Sequence, residues 1–234
     1  MKKKTRWPIY LIIGLIITFI AFTVPLPYYI EVPGTSEDIR KVLQVNNQSD
    51  QEEGSYQFVT VGVKHARMVD LVYAWLTPFT DIRSAKEMTG GSSDAEFMRI
   101  NQFYMETSQN MAKYQGLKAA GNEIELKYLG VYVLTVTDNS TFKGILNIAD
   151  TVTAVNDKTF ESSKEMVDYV NSQTLGDKVK VTYQEDGKVK TAEGKIITLE
   201  NGKNGIGIGL IDRTEVSSDV PIKFSTAGIG GPSA

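Results

Sequence analysis

No cysteine occurs among the 234 residues, which excludes disulfides, thiolate zinc sites and a cysteine nucleophile. Histidine is nearly absent too. The one copy, His65, cannot build a multi-histidine metal site, and any Ser-His-Asp triad would have to use it. A lone histidine at a strand end reads as a surface or capping residue. There is also no excess of positive charge. Lysine and arginine number 25 against 28 acidic residues, a net charge of -3. Nucleic-acid binders usually carry a basic face to offset phosphate charge, so a nucleic-acid partner is not expected. No low-complexity tract is present, and the composition is that of an ordinary globular protein.

One long uncharged run does exist, at the start. Lys2, Lys3, Lys4 and Arg6 precede it, Trp7 to Ile30 carries no charge, and Glu31 ends it. A spanning helix needs roughly 20 apolar residues, so the run is expected to form a transmembrane helix. Pro25 and Pro27 should stop it, because proline lacks the N–H and clashes with the preceding turn. Trp7, Tyr10, Tyr28 and Tyr29 lie near its ends, where aromatic rings favour the interface. The basic cluster should stay cytoplasmic, leaving the body of the chain outside. The competing reading is a cleaved signal peptide. Ala21-Phe22-Thr23 is a poor cleavage site, and both readings place the body outside the cytoplasm.

Residues 28–122 read as a mixed α/β module. Tyr56 to Val63 alternates and is rich in β-formers, as a strand would be. Ala66 to Leu76 is apolar at helical spacing through Val69, Val72, Tyr73 and Leu76, and Pro78 closes it. Gln51-Glu52-Glu53 reads as a solvated turn. Ser93-Asp94-Ala95-Glu96 is a capping box. It predicts a long helix to about Ala120 with Gly121 at its C-terminus. Phe97, Ile100, Tyr104, Met111, Tyr114 and Leu117 should pack as its core face.

Residues 123–199 carry the most informative pattern. Tyr128-Leu129-Gly130-Val131 leads into the strand Tyr132 to Val136. Gly144 to Asp150 contains a Leu-x-x-x-Asp turn from Leu146 to Asp150. The strand Thr151 to Asn156 follows. Ser162-Ser163-Lys164-Glu165 opens a short helix bearing Met166, Val167, Tyr169 and Val170. Asp186-Gly187 joins two further strands as a tight hairpin. This stretch resembles a bacterial PDZ domain. The resemblance implies that the loop Tyr128, Leu129, Gly130, Val131 presents backbone N–H groups to a peptide's C-terminal carboxylate. Glycine at 130 would let the ligand approach closely. The peptide would add as a strand beside the one following Val131, with Val167 and Val170 lining its pocket. Two positions depart from the pattern: Ala149 and Asp157 stand where glycine is usual.

Residues 200–234 begin another segment. Gly205-Ile206-Gly207-Ile208-Gly209-Leu210-Ile211 lacks the strand-loop-helix context of a nucleotide loop and reads as a glycine-containing strand. Ile229-Gly230-Gly231-Pro232-Ser233-Ala234 is either a glycine-rich tail or a nucleophile turn. In the second reading Gly230 and Gly231 bring backbone close to a substrate carbonyl and Pro232 starts a helix. Ser233 then sits at that helix's N-terminus, where N–H groups stabilise an oxyanion.

Together the basic anchor, Tyr28-Tyr29-Ile30-Glu31-Val32-Pro33-Gly34, Met105-Glu106-Thr107-Ser108-Gln109, the PDZ-like stretch and the final hexapeptide carry a second resemblance. Over all its residues the chain is similar to the membrane-anchored, PDZ-containing Lon-like serine proteases of Gram-positive bacteria. The resemblance implies an ATP-independent endopeptidase with Ser233 as nucleophile and no metal or cofactor. The base would be a lysine from a later segment, its pKa lowered by burial. No lysine follows Ser233 here, so these 234 residues alone are expected to be inactive. The implied partner is an extracytoplasmic peptide or protein, for instance a secreted peptide pheromone. The expected class is α+β. Residues 1–27 form the basic tail and anchor, 28–122 the mixed module, 123–199 the PDZ-like domain and 200–234 the start of a Lon-like protease domain. The alternative is a membrane-anchored adaptor that binds peptides without cleaving them.

Overall fold

The computed structural model describes residues 6–185, 187–226 and 228–231. In chain order its elements begin with α1 (Trp7–Thr23), β1 (Pro25–Asp38), α2 (Ile39–Val42), β2 (Leu43–Val45), β3 (Gln57–Arg67) and α3 (Met68–Leu76). Next come β4 (Asp81–Ser84), α4 (Ala85–Thr89), α5 (Asp94–Ala119), β5 (Glu125–Val136), β6 (Thr151–Val155) and α6 (Ser163–Asn171). The last are β7 (Lys178–Glu185), β8 (Lys188–Lys195), β9 (Ile197–Thr198), β10 (Asn204–Gly205), β11 (Ile208–Ser217) and β12 (Ile222–Phe224). The chain divides into two compact units: Met1–Asp38 with Tyr56–Ser92, and Ile39–Ser55 with Ser93–Ala234. The stretch read as one mixed module, 28–122, is therefore shared between them, and α5 belongs to the second unit.

In the first unit β1 pairs antiparallel with β3 on one side and β4 on the other. Ile30, fully buried, sits opposite both Lys64 and Ile82. Helix α1 stops at Thr23, whose hydroxyl donates to the Phe19 carbonyl. Pro25 then opens β1, as its missing N–H requires. The helix has 17 residues, a rise of about 25 Å against a hydrocarbon core of roughly 30 Å. Among the described residues no helix is long and apolar enough to cross a membrane. The transmembrane helix expected from the uncharged run is therefore not borne out, because Pro25–Ile30 of that run belongs to a strand.

Helix α3 is turned the opposite way from its expected orientation. Asp70 is its buried residue, while Val72, Tyr73, Trp75 and Leu76 are exposed, Trp75 at 84%. Asp70 is held by the Lys64 ammonium at 2.9 Å and by the Arg67 N–H at 2.8 Å. Burial opposes its ionisation, but these two donors outweigh burial and hold the carboxyl below its ordinary value. Fixing Asp70 inward turns the apolar stripe outward.

The second unit is built on a five-stranded antiparallel sheet of order β11-β5-β6-β7-β8. Along β5, Val131 and Val133 enter a core with Phe142, Leu146, Val152, Val155, Met166, Val170, Val179 and Val181. The alternate residue Tyr132 faces α5 and stacks on Phe103 at 3.9 Å. Helix α5 begins with the expected box: Ser93 accepts from the Glu96 N–H and Glu96 accepts from the Ser93 N–H. Its buried residues are Met105 and Leu117, while Met111 is exposed at 41%. The period holds, but the face is rotated toward polar anchors. Thr107 donates to the Asp212 carbonyl and Asn110 to the Thr214 carbonyl.

Both departures from glycine fall in left-handed backbone. Asn156 and Asp157 have φ of 51° and 61°, the two-residue turn that joins Val155 to Lys158. Ala149 has φ of 86°, a conformation costing an L-residue roughly 1–2 kcal/mol. Part of that is returned as unfolded-chain entropy on mutation to glycine. Ala149→Gly should therefore stabilise the unit by about 0.5–1 kcal/mol, seen as a higher urea midpoint at unchanged slope.

Candidate functional site

The site lies between β5 and α6. Helix α6 is started by Ser162, whose side chain accepts from the Glu165 N–H. The Glu165 carboxylate reaches past the capping position to the Glu161 N–H at 3.0 Å. Met166 and Val170 point into the core, 2% and 5% exposed, while Val167 is 36% exposed on the outer side. Val170, expected to line an open pocket, is therefore a core residue.

Gly130 marks the start of the groove. Its φ is +130°, and a Cβ there would lie 2.2 Å from the Val152 carbonyl oxygen, so the position admits glycine alone. Val131 beside it is fully buried. The Tyr128 side chain is half-buried, and its hydroxyl finds no hydrogen-bond partner among the described residues. Burial, then the Asp212 and Glu165 carboxylates, push that hydroxyl's pKa well up. Leu129 has no partner in the ladder, because Arg213 pairs with Gly130 and the next residue, Thr214, with Tyr128. A β-bulge thus sits in the loop that was expected to receive a carboxylate.

The edge of β5 away from β6 is not open. Strand β11 pairs with it along its whole length, from Ile208 opposite Val136 to Ser217 opposite Glu125. Ile208 and Leu210 pack against the core, and the Asp212 carboxylate accepts from the Ser163 N–H of α6 at 3.2 Å. These three residues, two apart, face α6 as strand alternation requires. The glycine-containing strand was legible in the sequence. Its place beside β5 was not, since pairing between residues some eighty positions apart leaves no local signal.

On the other face, an open cavity of about 300 Å³ is lined by Arg99, Gln102, Phe103, Tyr132, Ala149, Thr151, Gln184, Gly187 and Arg213. Arg213 donates to the Thr151 hydroxyl at 2.9 Å and lies over the Tyr132 ring. Tyr132 donates to Glu106 at 3.0 Å. Burial and that carboxylate push its hydroxyl up to about 12, so it stays a neutral donor.

Of the residues expected to form a nucleophile turn, Gly230 and Gly231 are described. The Gly231 N–H donates to the Asn101 carbonyl of α5 at 2.9 Å, and a Cβ on Gly230 would meet Asn101 at 3.0 Å. Glycine here permits close docking on α5, a contact the sequence did not announce. Pro232 and Ser233 lie outside the described residues. His65 stacks on Tyr29 in the first unit, ring centroids 4.3 Å apart. No group of acidic or histidine side chains suited to a metal occurs among the described residues.

Comparison with known proteins bears on the same region. The model of a family described as PDZ domain matches residues 103–196. The PDZ domain of an SdrC-like protein from Listeria monocytogenes is 35% identical over 37% of this chain and 93% of that one, with a TM-score of 0.35. Its counterpart from Listeria innocua is 38% identical over 35% and 92%, TM-score 0.33. A Geobacillus thermodenitrificans structure is 30% identical over 34% and 94%, TM-score 0.31. No match is found among curated proteins. The family match begins inside α5 and ends one residue past β8, leaving β11 outside it. Residues 103–196 of this chain form a PDZ domain, a module that binds peptides or proteins.

Proposed function

We propose that this PDZ domain holds extracytoplasmic peptides or proteins for a membrane-attached serine endopeptidase of the Lon-like type, whose nucleophile is Ser233. The observation that carries the reading is the groove itself. The space between β5 and α6 holds an extended segment, hydrogen-bonded along β5 with aliphatic side chains set toward the core. That is the geometry in which a substrate chain is bound by strand addition. The Gly230–Gly231 turn, docked on α5 of the same unit, leads directly to Ser233. Attack by the Ser233 oxygen on a peptide carbonyl would give an acyl-enzyme and release the amine. A neutral lysine supplied by a later segment would take the serine's proton, and water would complete hydrolysis.

Attachment to the cell membrane, with the bulk outside, is part of the proposal. No side chain of α1 is buried, and its large aromatic and aliphatic residues are 43–70% exposed. Within the same unit α1 contacts α3, whose Trp75 and Leu76 are equally bare. A lipid phase would cover both, with Arg6 reaching back to the headgroups and the bilayer thinning to match a short helix.

The test uses the protein produced from its natural gene in its own membranes. Ser233→Ala should cause uncleaved secreted peptides to accumulate while the protein remains in the pellet after a carbonate wash. Unchanged processing by Ser233→Ala, with peptide binding retained, would instead establish the adaptor. Release by carbonate would remove the anchor.

A further inference from the structure

The strand in the groove belongs to a segment outside the PDZ domain match. β11 runs antiparallel to β5 and travels toward Gly130, so that Asp212 arrives opposite Val131 and Arg213 opposite Gly130. An external peptide paired antiparallel to β5 would run the same way, with its C-terminus reaching the Tyr128–Val131 loop. At that point β11 places not a chain end but the Asp212 carboxylate, 3.2 Å from the Ser163 N–H. Upstream, Leu210 and Ile208 fill the aliphatic positions against the core that holds Met166 and Val170.

We propose that Ile208–Asp212 is a resident ligand of this groove, and that an external peptide binds only in exchange for it. This rests on the reading that the groove takes peptides, and it adds what kind. The preferred peptide has aliphatic side chains two residues apart and ends in a carboxylate two residues after the second. Three features make the occupant replaceable. Its ladder is broken twice, between Gly209 and Leu210 and between Arg213 and Thr214, and each break forfeits regular pairing. Gly209 leaves one of its positions without side-chain burial. The Tyr128 hydroxyl stays buried without a partner beside Asp212, so the resident strand leaves a donor of the loop unsatisfied. Thr107 and Asn110 of α5 hold the far side of β11 through the Asp212 and Thr214 carbonyls. Peptide binding that displaces β11 therefore also releases two polar residues of α5, the helix on which the Gly230–Gly231 turn is docked.

The probe is a fluorescent peptide of residues 206–212, Ile-Gly-Ile-Gly-Leu-Ile-Asp, with a free C-terminal carboxylate. Its anisotropy is titrated with the wild-type chain and with the Ile208→Ser/Leu210→Ser variant. The variant should bind at least tenfold more tightly, because its own strand competes poorly. In parallel, excess peptide should speed hydrogen exchange at the wild-type amides of Ile208–Arg213 while Val179–Tyr183 stay protected. This second reading holds even where the variant fails to fold. Equal affinity of wild type and folded variant, with β11 protection unchanged by peptide, overturns this inference and leaves peptide binding standing. No binding by either protein overturns both.

Discussion

Gly130→Ala is expected to destabilise the PDZ unit severely. The added methyl would stand 2.2 Å from the Val152 carbonyl oxygen and 3.1 Å from its carbon, and both are backbone atoms in a central strand. No side-chain rotation relieves the overlap. β5 and β6 must separate where Val131 pairs with Val152, the junction from which Val131 and Val152 enter the core. The φ of +130° adds its own penalty for any residue with a Cβ. A loss of at least about 4 kcal/mol follows, in the range reserved for overpacking joined to backbone strain. Against a typical domain stability of roughly 5–15 kcal/mol, that removes from about a quarter to most of the total, and the variant should melt far below the wild type by circular dichroism. A variant as stable as wild type would show that the β5–β6 junction is looser than described. Gly130 was identified from the sequence as a residue that lets a ligand approach. In the structure it is first a residue that lets β6 approach, and a loss of peptide binding by Gly130 variants would report folding as well as recognition.

Phe142→Ala should cost about 3–5 kcal/mol. Phe142 is fully buried in the core cluster, and its ring edge lies against Gly194 so closely that a Cβ there would stand 2.5 Å away. Removing the ring leaves a cavity walled by backbone that cannot collapse into it. The loop carrying it is pinned nearby. The Ser140 hydroxyl donates to the Ile206 carbonyl at 2.5 Å and accepts from the Phe142 N–H at 3.1 Å. Denaturant unfolding should show the midpoint falling with little change in slope. A cost under about 1 kcal/mol would place Phe142 outside the cooperative core.

What could be read from the sequence was local. Ser93 and Glu96 announced α5, and Ser162 announced α6, because a cap and its donor are three residues apart. Pro25 ended α1 as expected. Asn156-Asp157 fits its turn although glycine is absent, since both residues tolerate left-handed backbone. Orientation was less legible. The apolar residues of α3 suggested a buried stripe, but buried Asp70, held by the exposed Lys64 ammonium and the Arg67 N–H, turns the helix outward. On α5, Met111 and Met105 sit six positions apart and both suit a core, and only the polar contacts to β11 choose between them. The candidate site was half visible. The glycine loop, strand and helix of a PDZ groove lie in one short stretch, whereas its occupant comes from beyond the hairpin β7–β8.

The central claim is that the chain belongs to an endopeptidase in which this PDZ domain serves Ser233. It is tested most directly by purifying the protein made from its natural gene and measuring hydrolysis of a quenched peptide ending in Ile-Gly-Leu-Ile-Asp, beside its Ser233→Ala variant. The account expects cleavage by the wild type and a fall of at least about a thousandfold in the variant, as for loss of a catalytic nucleophile. Equal hydrolysis by both proteins, or peptide bound but never cut, would contradict it.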